Sequence, residues 1–374
     1  MNHPISRMTA LCSLLVYSWA SHASGSGNLF ISSEKDSGIT VLNGTTLETV
    51  SKIGTASRPR HMIFDQDKKR IFVACGDGNA IDIIDVEQLK LVDRIEGIDD
   101  PEVIELSPDG KTLYISLEDE GALGVLDLAA FFSARQEEPE LTIGEPDDED
   151  DSGDGDESGS DDDDDDDDDD DGEESQSSIP GLEKIPVGLE PEGVLVSPDG
   201  SRTYVTSEVA NTVHVVDNEN KELINNIVVG NRPRRFALSN DGKELWVSNE
   251  LSASVTILDT ETYEIIDTIE FLPPGFRKED VTPVGIMMTS DGNTTIVALG
   301  RANHVAFVDT KSRKIESYTL VGTRAWNAAL TKDDKTLYVV NGLSDDISVI
   351  DMASKKAVKS VPVGRVPYMI LVDD

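Results

Sequence analysis

Apolar and polar residues alternate along most of this chain in short runs, and the runs return at a fixed interval. An apolar stretch ends in an acidic or amide residue at Asn43, Asp85, Asp127, Asp217, Asp259, Asp309 and Asp351, in steps of 42, 42, 90, 42, 50 and 42 residues. Removing one insertion of 48 residues and another of 8 makes every step 42. Tight-turn phrases keep the same interval: SPDG at 107–110 and 197–200, SNDG at 239–242 and TSDG at 289–292, with weaker forms starting at Asp65 and Thr331. Each turn precedes a β-branched and aromatic segment such as LYIS, TYVT or LWVS. Alternation in such residues predicts strands, and Asp-Gly between two of them predicts a hairpin. A period near 42 with several short strands per unit predicts an all-β, seven-bladed β-propeller, in which each sheet is covered only by its neighbours.

A third marker is proline at 59, 101, 191, 233, 283 and 367, with Ala325 in the seventh place. Proline suits the entry to a strand, where its missing N–H costs no ladder bond. The chain opens at Leu29 with a second strand and closes on a first strand, VPYMILV. The C-terminal strand is therefore expected to complete the N-terminal blade and close the ring, removing two exposed edges.

Residues 1–23 carry Arg7, an apolar centre and Ser21-His22-Ala23, and are expected to be a secretory leader, leaving 24–374 as the propeller. That places the protein in the periplasm or outside the cell, with no membrane span once the leader is cleaved. Cys75 is then a lone cysteine at a strand end, expected to be a small buried thiol, and paired-cysteine metal spacings and CxxCH are absent.

The net charge of −41 changes the picture less than it first suggests. Residues 145–174 hold 22 of the 73 acidic residues and no Lys or Arg. This Asp tract defines an insertion, 129–182, expected to be a disordered excursion between the third and fourth strands of blade three. It reads as a solubilising segment or as a loose binder of Ca²⁺ or a basic protein, and it lacks the glycine and glutamate of an EF-hand. The acidic balance speaks against nucleic acid.

The residue after each entry mark is Arg60, Glu102, Glu192, Arg234, Val284, Trp326 and Tyr368 in blade order. Seven equivalent positions have become unequal, at one mouth of the central channel. Second strands end there in Glu34, Glu118, Glu208 and Glu250, and Arg58, Arg232, Arg324 and Arg365 add positive charge. Two arrangements fit. One is a polar, aromatic-walled pocket for a small cationic or hydroxylated ligand, or a metal between Glu102 and Glu192. The other is a set of ion pairs in which Arg60, Glu102, Glu192 and Arg234 satisfy one another. His61 lies on the same side, His214 reads as a sheet-surface histidine, and no Ser-His-Asp set can be argued. The extra residues at 272–281, LPPGFRKEDV, are either a lid over this mouth or a proline-stiffened connection.

The phrases SPDGSRTYVTSEVANTVHVVD and SNDGKELWVSNELSASVTILD resemble the YVTN family of propeller repeats. With EPEG, RPRRF, ALGRANHV and Trp326, the chain is most similar to the β-propeller proteins associated with pyrroloquinoline-quinone (PQQ)-dependent catabolism. That resemblance implies a periplasmic, non-catalytic binding or scaffold protein for quinoprotein alcohol oxidation. Its contact surface would be Arg60, His61, Glu102, Glu192, Arg234, Trp326 and Tyr368, with a quinoprotein dehydrogenase, a cytochrome c or PQQ itself as partner. The alternatives are a lactonase-like hydrolase using His61 with the mouth carboxylates, and an extracytoplasmic Ca²⁺-binding protein acting through the Asp tract.

Overall fold

The computed structural model describes residues 25–137 and 179–374; the expected leader lies outside the described residues. Seven four-stranded antiparallel sheets form the ring. Blade one pairs Pro367–Asp373 with Asn28–Ser33, Gly38–Asn43 and Thr49–Gly54, so the C-terminal strand does close the ring from the inside. The innermost strands of the next blades are Pro59–Phe64, Pro101–Leu106, Pro191–Val196, Pro233–Leu238, Ile286–Met288 and Ala325–Leu330.

Alternation along each strand gives every sheet two apolar faces, and those faces meet their neighbours in seven separate clusters, one per gap. Between blades one and two, for example, Phe30, Val41, Met62 and Val73 pack together. Between blades four and five Val215, Leu245 and Val247 do so. Removing any blade would therefore expose two such faces at once. Cys75 lies inside the first of these clusters, fully buried, and burial pushes its thiol far up.

The turn phrases behave as their residues dictate. Gly110, Gly200, Gly242 and Gly292 adopt φ between 69° and 73°. In the two weaker versions Lys68 and Asp334 must take the same left-handed backbone, at φ 56° and 53°.

Two expectations need correction. The insertion 129–182 does not begin irregularly: Leu128–Glu137 is a helix, because LAAFFSAR is a run of good helix formers and Phe131 anchors it in the core between blades two and three. Residues 138–178, including the Asp tract, lie outside the described residues. Leu182–Pro186 follows as the fourth strand of blade three, where it was expected. The second correction is at blade six, whose innermost strand starts at Ile286 rather than at Pro283. After the longer entry loop, Val284 and Gly285 each make one bond to Ala298 before regular pairing begins.

Among the described residues no helix is long and apolar enough to cross a membrane.

Candidate functional site

All seven innermost strands enter the channel from the same face. At six of the entries the preceding residue is left-handed: Arg58, Asp100, Glu190, Arg232, Arg324 and Val366, with φ between 31° and 64°. A non-glycine residue in that region costs on the order of 1–2 kcal/mol, so the entry bend is maintained by the surrounding packing. Directly after it the register with the second strand shifts, between Pro59 and Met62, Pro101 and Ile104, Pro191 and Val194, Pro233 and Phe236, and Ala325 and Ala328. The bulge frees two consecutive residues from the pleat and re-aims both. The first of each pair builds an upper layer across the channel, the second a lower one.

The upper layer brings the expected mouth residues together as ion pairs. Glu192 accepts from Arg234 Nη2 at 2.8 Å, Arg235 Nη2 at 3.1 Å, Arg60 Nη2 at 3.3 Å and the Tyr368 hydroxyl at 3.2 Å. Glu102 meets Arg60 Nη1 and, at 2.7 Å, Arg58 Nη2, while Arg234 Nη1 meets Glu208. Arg60 lies over the Tyr368 ring and Arg324 over Trp326, each 4.4 Å from the centroid. Glu102, Glu192, Arg60, Arg234 and Tyr368 are all buried, and Trp326 is half-buried. Burial alone would raise both glutamates. Arg234, Arg60 and Arg235 overcome it at Glu192 and hold its carboxyl well down, whereas burial and the Glu192 charge keep Glu102 up against Arg60 and Arg58.

No space remains in this layer for the metal considered between Glu102 and Glu192, because the Arg60 guanidinium contacts both. Arg58 likewise reaches Asp100, Glu102 and Glu118 at 2.9, 2.7 and 4.0 Å, occupying the middle of that acidic group. The segment 272–281 is no lid over the channel. Phe276 packs edge-on to His304 at 5.3 Å, and the Tyr318 hydroxyl accepts from Leu272 N, so it is tied to the outer strands of blade six. His214 is buried rather than on a sheet surface, with Nδ1 2.5 Å from Asn226 Oδ1, because the blade three to four connection at Gly188 covers it.

One residue deeper the chemistry reverses. His61, Arg235 and Asn327 line a cavity of about 230 Å³ with Glu105, which follows two positions further along its strand. Gly193 and Gly285, at the equivalent positions of two other blades, let neighbouring innermost strands approach closely. A Cβ on either would come within 2.2 Å of the Arg234 carbonyl oxygen or 2.5 Å of that of Trp326. Arg235 spends its two Nη groups upward, on the Glu192 carbonyl at 3.1 Å and on the Tyr368 hydroxyl, and its buried Nε has no partner. His61 Nδ1 is buried without a partner too. Burial, and then the charge of Arg235, lower His61 to about 3, which makes it a very weak base. Glu105 feels burial alone, with no cation beside it, and is raised to about 7.

Glu105 and Arg235 escape a reading that tabulates only the first residue after each entry mark. The signal was present: where Glu105 stands, the other blades carry Ile63, Leu195, Ala237, Met287, Ala329 and Leu371, and RPRRF doubles the arginine at one entry.

The family described as "Lactonase, 7-bladed beta-propeller" matches residues 224–360, about a third of the chain. A search of curated proteins gives no match. Among solved structures, the Pseudomonas aeruginosa periplasmic gluconolactonase is 20% identical, with 93% of this chain and 99% of that one covered at a TM-score of 0.68. A putative 6-phosphogluconolactonase from Bacteroides fragilis is 16% identical over 95% and 99%, with a TM-score of 0.66. Kuenenia stuttgartiensis hydrazine synthase is 17% identical over 87% and 93%, with a TM-score of 0.68. At such identities the likeness is one of fold, and one fold serves unrelated chemistries. The ring is a seven-bladed β-propeller of the lactonase type. The expected non-catalytic scaffold for quinoprotein-linked oxidation is overturned by the lactonase family match over residues 224–360, which favours the hydrolase alternative.

Proposed function

We propose that the protein is a lactonase-like hydrolase whose reaction takes place in the channel cavity below the ion-pair layer. The observation that carries this reading is a cavity of about 230 Å³ lined by Glu105, His61 and Arg235, in which burial raises the Glu105 carboxyl to about 7. A carboxyl that lines a cavity with no cation beside it is complementary to a polar ligand. The lactonase match over 224–360 and the gluconolactonase and 6-phosphogluconolactonase neighbours support the reaction class.

Lactone hydrolysis adds water across an acyl C–O bond and yields a hydroxy acid. A carboxyl raised to about 7 is well matched to work as a base near neutral pH. Glu105 takes a proton from the attacking water as the oxygen bonds to the carbonyl carbon. Arg235 Nε–H donates to the carbonyl oxygen as it becomes an oxyanion, already oriented by its bonds to the upper layer. Collapse expels the ring oxygen, which recovers the proton from Glu105. His61, neutral throughout, holds a water or a substrate hydroxyl instead of serving as the base. The mouth carboxylates are bound to arginines and take no part.

A lactone panel followed by acid release tests this. Turnover should rise with pH through about 7 and fall at least about 100-fold in Glu105→Gln. Absence of hydrolysis across the panel, or full activity in Glu105→Gln, removes the reading. The leader-like segment 1–23 supports placing the enzyme in the periplasm, as the gluconolactonase is titled. The YVTN-type unit describes its repeat and supplies no step.

A further inference from the structure

We infer that the preferred substrate is a small lactone with an aliphatic substituent, not a polyhydroxylated sugar lactone. The inference rests on the hydrolase reading above and concerns what the same cavity accepts. Its volume of about 230 Å³ falls below the roughly 300–1,000 Å³ of pockets for drug-sized ligands. Only a compact molecule fits.

The polar groups serve the reacting carbonyl and leave little for anything else. Asn327 already gives its amide N–H to the Tyr368 carbonyl at 2.9 Å, and both Nη groups of Arg235 are engaged above the cavity. Glu105, His61, the Nε of Arg235 and the Asn327 amide oxygen remain, about as many as one water and one ester group require. The rest of the wall is apolar, including Val103, Val194, Leu195, Phe236, Ile286 and Met287. The ion-pair layer closes one end of the channel, so a ligand approaches from the hairpin side. There it passes the ring of equivalent positions in which Glu105 stands among Ile63, Leu195, Ala237, Met287, Ala329 and Leu371. A sugar lactone would bring several hydroxyls against this wall and leave them without partners.

Competition between δ-octalactone and glucono-δ-lactone tests the inference, since both contain the same six-membered ester ring. The full-length protein should show a kcat/KM at least about 100-fold higher for δ-octalactone, the scale on which a site discriminates by unmatched hydroxyls. Met287→Gln keeps the volume of the wall while adding an amide, and should narrow that preference about tenfold. Glucono-δ-lactone hydrolysed as well or better, with the activity lost in Glu105→Gln, would overturn the aliphatic preference and leave the hydrolase standing. An unchanged preference in a folded Met287→Gln protein would overturn the role of the wall. Hydrolysis of neither lactone would remove both the preference and the hydrolase reading.

Discussion

Arg60 and Arg234, which share a layer with Glu102 and Glu192, stand one residue above His61 and Arg235 on the same strands, yet the two layers use charge in opposite ways. In the upper layer each charge meets an opposite charge, and Glu192 alone serves three guanidiniums and a phenol. In the lower layer a carboxyl with no cation near it lines a small cavity together with His61 and Arg235. Paired charges hold the blades in register, and the unpaired carboxyl is left for a ligand. The richer display of charge is therefore not the more promising site. Arg235 links the two, since its Nη groups bond into the upper layer while its side chain lines the cavity.

The contrast can be broken most directly at Glu105. Glu105→Gln should lower kcat by about 10²–10⁴ while leaving the unfolding midpoint at pH 5 unchanged, measured by lactone turnover and chemical denaturation. Glu192→Ala should do the reverse in kind. It strands Arg60, Arg234 and Arg235, and a loss of about 3–5 kcal/mol in urea unfolding is expected. An unaltered stability there would mean the upper layer is not structural.

A smaller effect separates the layers by pH. The pKa of Glu105 in the folded protein, about 7, lies above its ordinary 4.5, so its stabilising contribution is complete below 4.5 and is lost as pH rises through 7. Wild-type protein should lose up to about 3 kcal/mol across that window relative to Glu105→Gln. Parallel pH profiles for the two proteins would contradict the assignment. The smallest effect belongs to Tyr368→Phe, which deletes a hydroxyl shared by Arg60, Arg235 and Glu192. About 1–3 kcal/mol of stability should be lost, with a modest drop in turnover as Arg235 loosens.

The sequence displays the ring clearly because its repeat is a packing requirement: each blade needs the same alternation to cover its neighbours. It also displays the upper layer, since Arg60, Glu102, Glu192 and Arg234 share one place in the repeat and differ there in charge. The lower site was harder to see for a geometric reason. Strict alternation would turn His61 and Arg235 away from the side that Arg60 and Arg234 face, and only the bulge brings both residues to the channel. Glu105 was visible as one acid among six apolar equivalents, but its meaning depends on burial, which no single sequence displays. The helix Leu128–Glu137 was hidden by its neighbour, since the acidic run drew the whole of 129–182 into one category.

The ion-pair layer also makes the channel a cul-de-sac. Whatever enters must leave by the same path, so substrate and product compete for a single corridor and cannot pass each other. A hydroxy acid formed there carries a new negative charge close to Glu105, in surroundings that screen it poorly. Above pH 7 both carboxylates are ionised, and their repulsion pushes the product outward. The group that starts the reaction would then also clear the passage for the next substrate.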